Sequence, residues 1–135
     1  MNVPACIHSF IRLSYIHLGL AAIVGFMSWP MVKKQAQIPS AALFWVILLL
    51  AVFLWLYIWL LGRVKAGRNW ARLLCFALFF FGLSDDLLLA AKNFTHFPVT
   101  VMLRLGLDIF HVYILLLAFR PEANVWFGRR AGFVD

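Results

Sequence analysis

Six ionisable side chains interrupt stretches that are otherwise almost wholly apolar: His17, Asp85, Asp86, Arg104, Asp108 and His111. Within a bilayer such groups cost about 2.5 to 3.5 kcal/mol each on insertion scales, so they turn toward the protein interior and find partners. Their types allow three chemistries. Arg104 can bridge the carboxylates of Asp85 and Asp86 and set helix register, a role in which a buried ion pair gives specificity more than stability. Asp108, His111 and His17 can hand protons along an interior path, as intramembrane carboxylates and histidines do in pumps and transporters. Two imidazoles facing across a pocket can also ligate haem. The structural role is preferred, because one four-helix chain leaves little room for a gated pathway. No HExxH, CxxCH or paired carboxylate-histidine repeat occurs, so no catalytic, cofactor-binding or metal-ligating residue is assigned.

Spacing groups these residues on faces. Thr100, Arg104, Asp108 and His111 follow one another at intervals of four, four and three, which is one stripe of a helix. Ser14, His17, Ala21, Gly25 and Ser28 share a face in the same way, and such small residues let another helix approach closely. Depth follows from the rise per residue. Asp85 and Arg104 each fall about 6 Å to the same side of the midpoint of their own segments, and His17 falls near the depth of His111. The first helix is therefore expected to pack its polar face on the fourth, with Arg104 level with the Asp85/Asp86 pair.

The elements that must position this cluster are legible as hydrophobic blocks. With 65% hydrophobic and 13% charged residues over 135 positions, the chain lies far from soluble proteins, which carry about 25% charge. Crossing the hydrocarbon takes about 20 apolar residues in a helix. Four segments satisfy that, near 10–29, 41–61, 70–91 and 98–119, and the whole chain, 1–135, reads as a single transmembrane domain. Pro30 and Pro39 bracket the first connection, and Pro98 and Pro121 the fourth helix. The second segment has no charged residue and is expected to be the most lipid-exposed. It leaves through Gly62 and Gly67, with Asn69 as the expected N-cap of the third. The first block contains His17 and ends in FMSWPMVKK without a small-x-small site, which favours a retained spanning helix over a signal peptide.

Charge sets the expected orientation. Arg12, Arg63, Lys65, Arg68, Arg72, Arg120, Arg129 and Arg130 fall on one side of the spans, and Lys33, Lys34 and Lys92 on the other. The bias predicts both termini in the cytoplasm. The net charge of +7 is thus accounted for by topology and headgroup contacts, and nucleic acid is not an expected partner. Trp29, Trp45, Trp59, Trp70 and Trp126 sit near segment ends, as an interfacial aromatic belt would place them. Cys6 and Cys75 lie in different segments with no second thiol near, so neither a disulfide nor a zinc site is expected.

Two further patterns carry a resemblance. Gly67 to Arg72 reads Gly-Arg-x-Trp-Ala-Arg at the start of the third segment. Leu116, Leu117, Ala118, Phe119, Arg120 and Pro121, then Trp126 and Phe127, end the fourth. In these motifs the chain resembles a loose group of small bacterial inner-membrane proteins of unknown function, the second half more than the first. The resemblance implies a four-helix protein of the bacterial inner membrane and transfers no activity. The combined expectation is an all-α membrane protein, a four-transmembrane-helix bundle with both ends inside. Its expected role is non-enzymatic: an accessory or immunity-type protein that binds another membrane component, or itself, through its helices. The rival is a proton-linked transporter or channel subunit using the intramembrane Asp, Arg and His side chains.

Overall fold

The computed structural model describes residues 3–36 and 39–130. Among them the chain forms five α-helices and no strand: α1 (Ala5–Ala36), α2 (Ser40–Lys65), α3 (Asn69–Asn93), α4 (Pro98–Ala118) and α5 (Pro121–Arg130). The first four are long and apolar enough to cross a bilayer, with spans at Ala5–Trp29, Phe44–Lys65, Asn69–Asn93 and Pro98–Ala118. This is the build of a multi-pass membrane protein.

Each helix boundary has a local cause. The Pro4 carbonyl accepts from Ile7 and His8 and opens α1, and the Pro39 carbonyl accepts from Ala42 and opens α2. At the end of α2, Gly67 takes φ 80°, while its N–H reaches the Val64 carbonyl and that of Arg68 reaches Arg63. This is a Schellman stop, and the left-handed residue in it is one that glycine occupies without a Cβ penalty. Pro98 sits in the first turn of α4, where its missing N–H costs nothing.

Three local expectations change. The helix that was to span 10–29 begins at Ala5 and runs through Pro30 to Ala36. Proline removes only the one bond to the carbonyl four residues back, here that of Phe26 in the last turn of the span, so the helix can continue across it. Most of the expected connection from Met31 to Ser40 is therefore helix, and its residues 37 and 38 lie outside the described residues. The cap of α3 is Arg68, without a side-chain cap bond, while the Asn69 side-chain Oδ1 accepts from Arg72 Nε. The tail after Pro121 forms the amphipathic helix α5, which buries Ala123, Trp126 and Phe127. Trp126 is 5% exposed and packs in the protein core.

The helices form a ring in chain order. α1 packs most extensively on α4, α2 on α3, and α3 on α4, while α5 folds back on α1 and α4. A third of the α4 span is buried, 33%, against 11% for α2 and α3, so α4 is the central element. The apolar core lies toward the end that holds the start of α1 and the whole of α5, here called the terminal end. Ile7, Phe10, Leu60, Val64, Cys75, Ile114 and Phe127 fill it. The far half of α2 is exposed on nearly every position, including Phe44, Trp45, Leu49 and Leu50.

Arg72 ties this end together. Its guanidinium donates to the Ala118 carbonyl at 3.1 Å and to Asn124 Oδ1 at 2.6 Å, and lies 4.9 Å over the Phe119 ring and 4.6 Å over Phe127. It satisfies a carbonyl that α4 leaves open at its C-terminus and stacks on two aromatic faces. The last residue of the Gly67–Arg72 motif thus meets the aromatic tail motif directly.

Candidate functional site

The inward face of α1 repeats at three and four residues through Ile7, Phe10, Ser14, His17, Ala21, Val24 and Ser28, all buried or half-buried. Below the middle of the span this face is apolar apart from Ser14, and above it the residues are small. On α4 the stripe of Thr100, Arg104, Asp108 and His111 also faces inward, half-buried to buried. The helix pairing expected from these faces is the one that forms. His17 lies at the centre of Ala5–Trp29 and Asp108 at the centre of Pro98–Ala118, so the cluster sits at mid-span.

Arg104 Nε donates to Asp86 Oδ1 at 2.7 Å, and its terminal nitrogen donates to the same oxygen. Asp85, by contrast, is exposed and is not part of this pair. Successive residues on a helix point about 100° apart, so only one of two adjacent carboxylates can face Arg104. Asp108 stands within the field of both Asp86 and Arg104, and its Oδ2 is buried without a hydrogen bond to any described residue. His17, Ala21, Val24, Gly25, Asp86, Arg104, Leu107 and Asp108 surround a cleft of about 110 Å³ between α1, α3 and α4.

One level toward the terminal end, His17 and His111 meet edge to face with ring centroids 4.3 Å apart. The rings are in contact, which leaves no space for a porphyrin between them. His17 also faces the Leu107 backbone carbonyl. His111 Nε2 lies 3.4 Å from the Tyr57 hydroxyl of α2, and Ser14 lies beside that hydroxyl. Phe79 closes the other side of His111 at 4.7 Å. There the polar chain ends. Below Tyr57 and Ser14 come Phe10, Leu60, Cys75 and Ile114, each fully buried, so the cleft is blind toward the terminal end. Among the described residues no three His, Cys, Asp or Glu side chains converge as a metal donor set.

Two participants were not assigned from the sequence. Tyr57 is the hydroxyl that α2 contributes to the histidine pair. Counting rise from the middle of Phe44–Lys65 puts it about 4 Å toward the terminal end, the level of His111, so depth alone could have found it. Arg72 enters the sequence reading as a topology charge and as the end of the Gly67–Arg72 motif, without a docking role. Its signal was the tail itself, where Ala123, Trp126 and Phe127 repeat at three and four behind Pro121 and Glu122. That pattern marks an amphipathic helix that needs docking.

No known family model, curated protein or solved structure matches the chain. The cleft is therefore read from its own geometry.

Proposed function

We propose that this chain is a non-enzymatic multi-pass protein of the bacterial inner membrane, with both termini cytoplasmic, that binds another membrane component in the manner of an accessory or immunity-type protein. The observation that carries this reading is the blind, charged cleft. The Arg104 and Asp86 side chains keep 26% and 21% of their surface open at a depth where lipid would surround them. An ion pair left against hydrocarbon is costly, so a partner group or water closes the site. A path for ions or protons needs polar groups across the whole span. Here they stop about 4 Å past the midplane, at Tyr57 and Ser14, above fully buried apolar packing. That arrangement suits reception of a group from one side better than conduction.

Site-specific photocrosslinking in native membranes tests the proposal. A photoreactive side chain at Ala21 or Leu107, on the cleft, should give one discrete adduct that is lost with Arg104→Leu. The same probe at Leu50, on the exposed face of α2, should label lipid only. Equal adduct patterns from all three positions would sink the reading. The polar chain of His17, His111 and Tyr57 favours proton-linked transport as the second reading, which flux measurements separate below.

A further inference from the structure

We infer that the corner where α2 turns into α3 binds the headgroup of an anionic phospholipid, in the leaflet that the terminal end faces. This surface lies apart from the cleft, so its ligand is independent of the partner proposed there. Charge gives the sign. Arg63 and Lys65 lie in the last turn of α2, Arg68 stands one residue before α3, and all three are exposed. None of their side chains makes a hydrogen bond or ion pair with a described residue. Of the carboxylates described, Asp85, Asp86 and Asp108 lie at mid-span or beyond it, and Glu122 lies with Arg120 beside Cys6 of α1. The corner is therefore a cluster of three cations with no counter-ion among the described residues.

Depth gives the class of anion. Counting rise from the middle of Phe44–Lys65 puts Arg63 and Lys65 about 13 and 16 Å toward the terminal end. Hydrocarbon about 30 Å thick gives way to phosphate at that level. Arg63 Cζ lies 4.9 Å over the Trp59 ring, and Trp59 meets Trp70 at 5.7 Å between ring centroids. Stacking holds the face of the guanidinium against the indole and leaves its N–H edge open, in the fork geometry that takes two phosphate oxygens at once.

Beneath the indoles the seam is apolar. Trp55 and Val52 follow Trp59 down α2 at steps of four and three, and Leu73, Leu74 and Ala77 follow Trp70 down α3, all exposed. Acyl chains can lie along that wall while the headgroup meets the cations, a pair of features that a free anion does not offer.

The other cations of this end are placed differently. Arg72 is engaged by Asn69, Ala118 and Asn124. Arg12 is the one Lys or Arg between Ala5 and Trp29, and Arg120 has Glu122 nearby. A diffuse attraction between bilayer and positive charge would draw on Arg12 and Arg120 as much as on the corner, whereas a built site would not.

Native mass spectrometry of the full chain in detergent micelles makes the comparison, with dioleoylphosphatidylglycerol titrated against dioleoylphosphatidylcholine. The first phosphatidylglycerol should bind about tenfold more tightly or better. Replacing Arg63, Lys65 and Arg68 together by Gln should abolish that preference, while Arg12→Gln with Arg120→Gln should keep it. Trp59→Leu, which removes the ring that Arg63 stacks on, should reduce it by about threefold. Thermal melts in lipid-free detergent check folding, and Arg63→Gln alone, expected to lose about threefold or more, serves if the triple variant melts early. Equal losses from the two multiple variants would overturn the site in favour of diffuse charge. Displacement of the lipid by inorganic phosphate, but not by chloride at equal ionic strength, would assign the corner to a free anion and overturn the lipid.

Discussion

Arg104 and the two neighbouring aspartates show how much one helical step decides. Asp86 faces the guanidinium and Asp85 is exposed, so the two should behave differently on mutation. Arg104→Leu strands Asp86 at mid-span. Breaking a fully buried pair costs about 3 to 5 kcal/mol, and this one, a quarter exposed, should cost about 2 to 3. Adding Asp86→Asn should recover much of that loss in thermal melts of the purified protein, while adding Asp85→Asn should recover none. If the two asparagine variants rescued equally, the pairing described above would be wrong. A double-mutant cycle on Arg104 and Asp86 gives the coupling directly.

At the scale of elements, α5 packs on α1 and α4, and Arg72 of α3 touches both the end of α4 and α5. Arg72→Ala removes three hydrogen bonds, to Asn69, Ala118 and Asn124, and two ring contacts, for an expected loss of about 2 to 4 kcal/mol. Arg72→Lys should rescue little, because an ammonium has no second nitrogen to hold Asn69 while the first serves Ala118 and Asn124, and no planar face to stack on Phe119 and Phe127. Hydrogen exchange should localise the effect: amides of residues 121–128 should lose protection before those of the α4 span. Protection loss spread evenly over all helices would argue against a dedicated docking residue. Trp126→Ala should act on the same element from the other side, opening a cavity against α1 and α4 at a cost of about 3 kcal/mol.

For the whole molecule, topology and mechanism are the open quantities. Reporter fusions at either terminus should both read cytoplasmic, and insertions at residues 37–39 and 94–96 should read the opposite side, since the Lys and Arg count favours that orientation. Termini reporting from different sides would exclude four crossings. Asp108→Asn then separates binding from transport. Asparagine keeps the shape and polarity of the carboxylate but cannot take up and release a proton near neutral pH. Proteoliposomes of wild type and variant should both show no flux under a pH gradient if the blind cleft is a receiving site. Wild-type flux that vanishes in a well-folded Asp108→Asn protein would establish the proton-linked reading in its place.

The amino-acid sequence by itself determined the four apolar spans, the depth of each intramembrane charge and the shared stripe of Arg104, Asp108 and His111. These are local quantities: hydropathy over about 20 residues, 1.5 Å of rise and a 3.6-residue period. It also determined that the polar face of α1 would seek α4, because small residues there admit a close neighbour. Only the tertiary structure decided that Arg104 takes Asp86 and not Asp85, that Tyr57 reaches His111, that Arg72 clasps the tail, and that the polar chain stops at an apolar core. Each of these depends on how a helix is rotated about its axis and which neighbour it meets. Side chains distant in sequence set that rotation by packing together, and no local period encodes it.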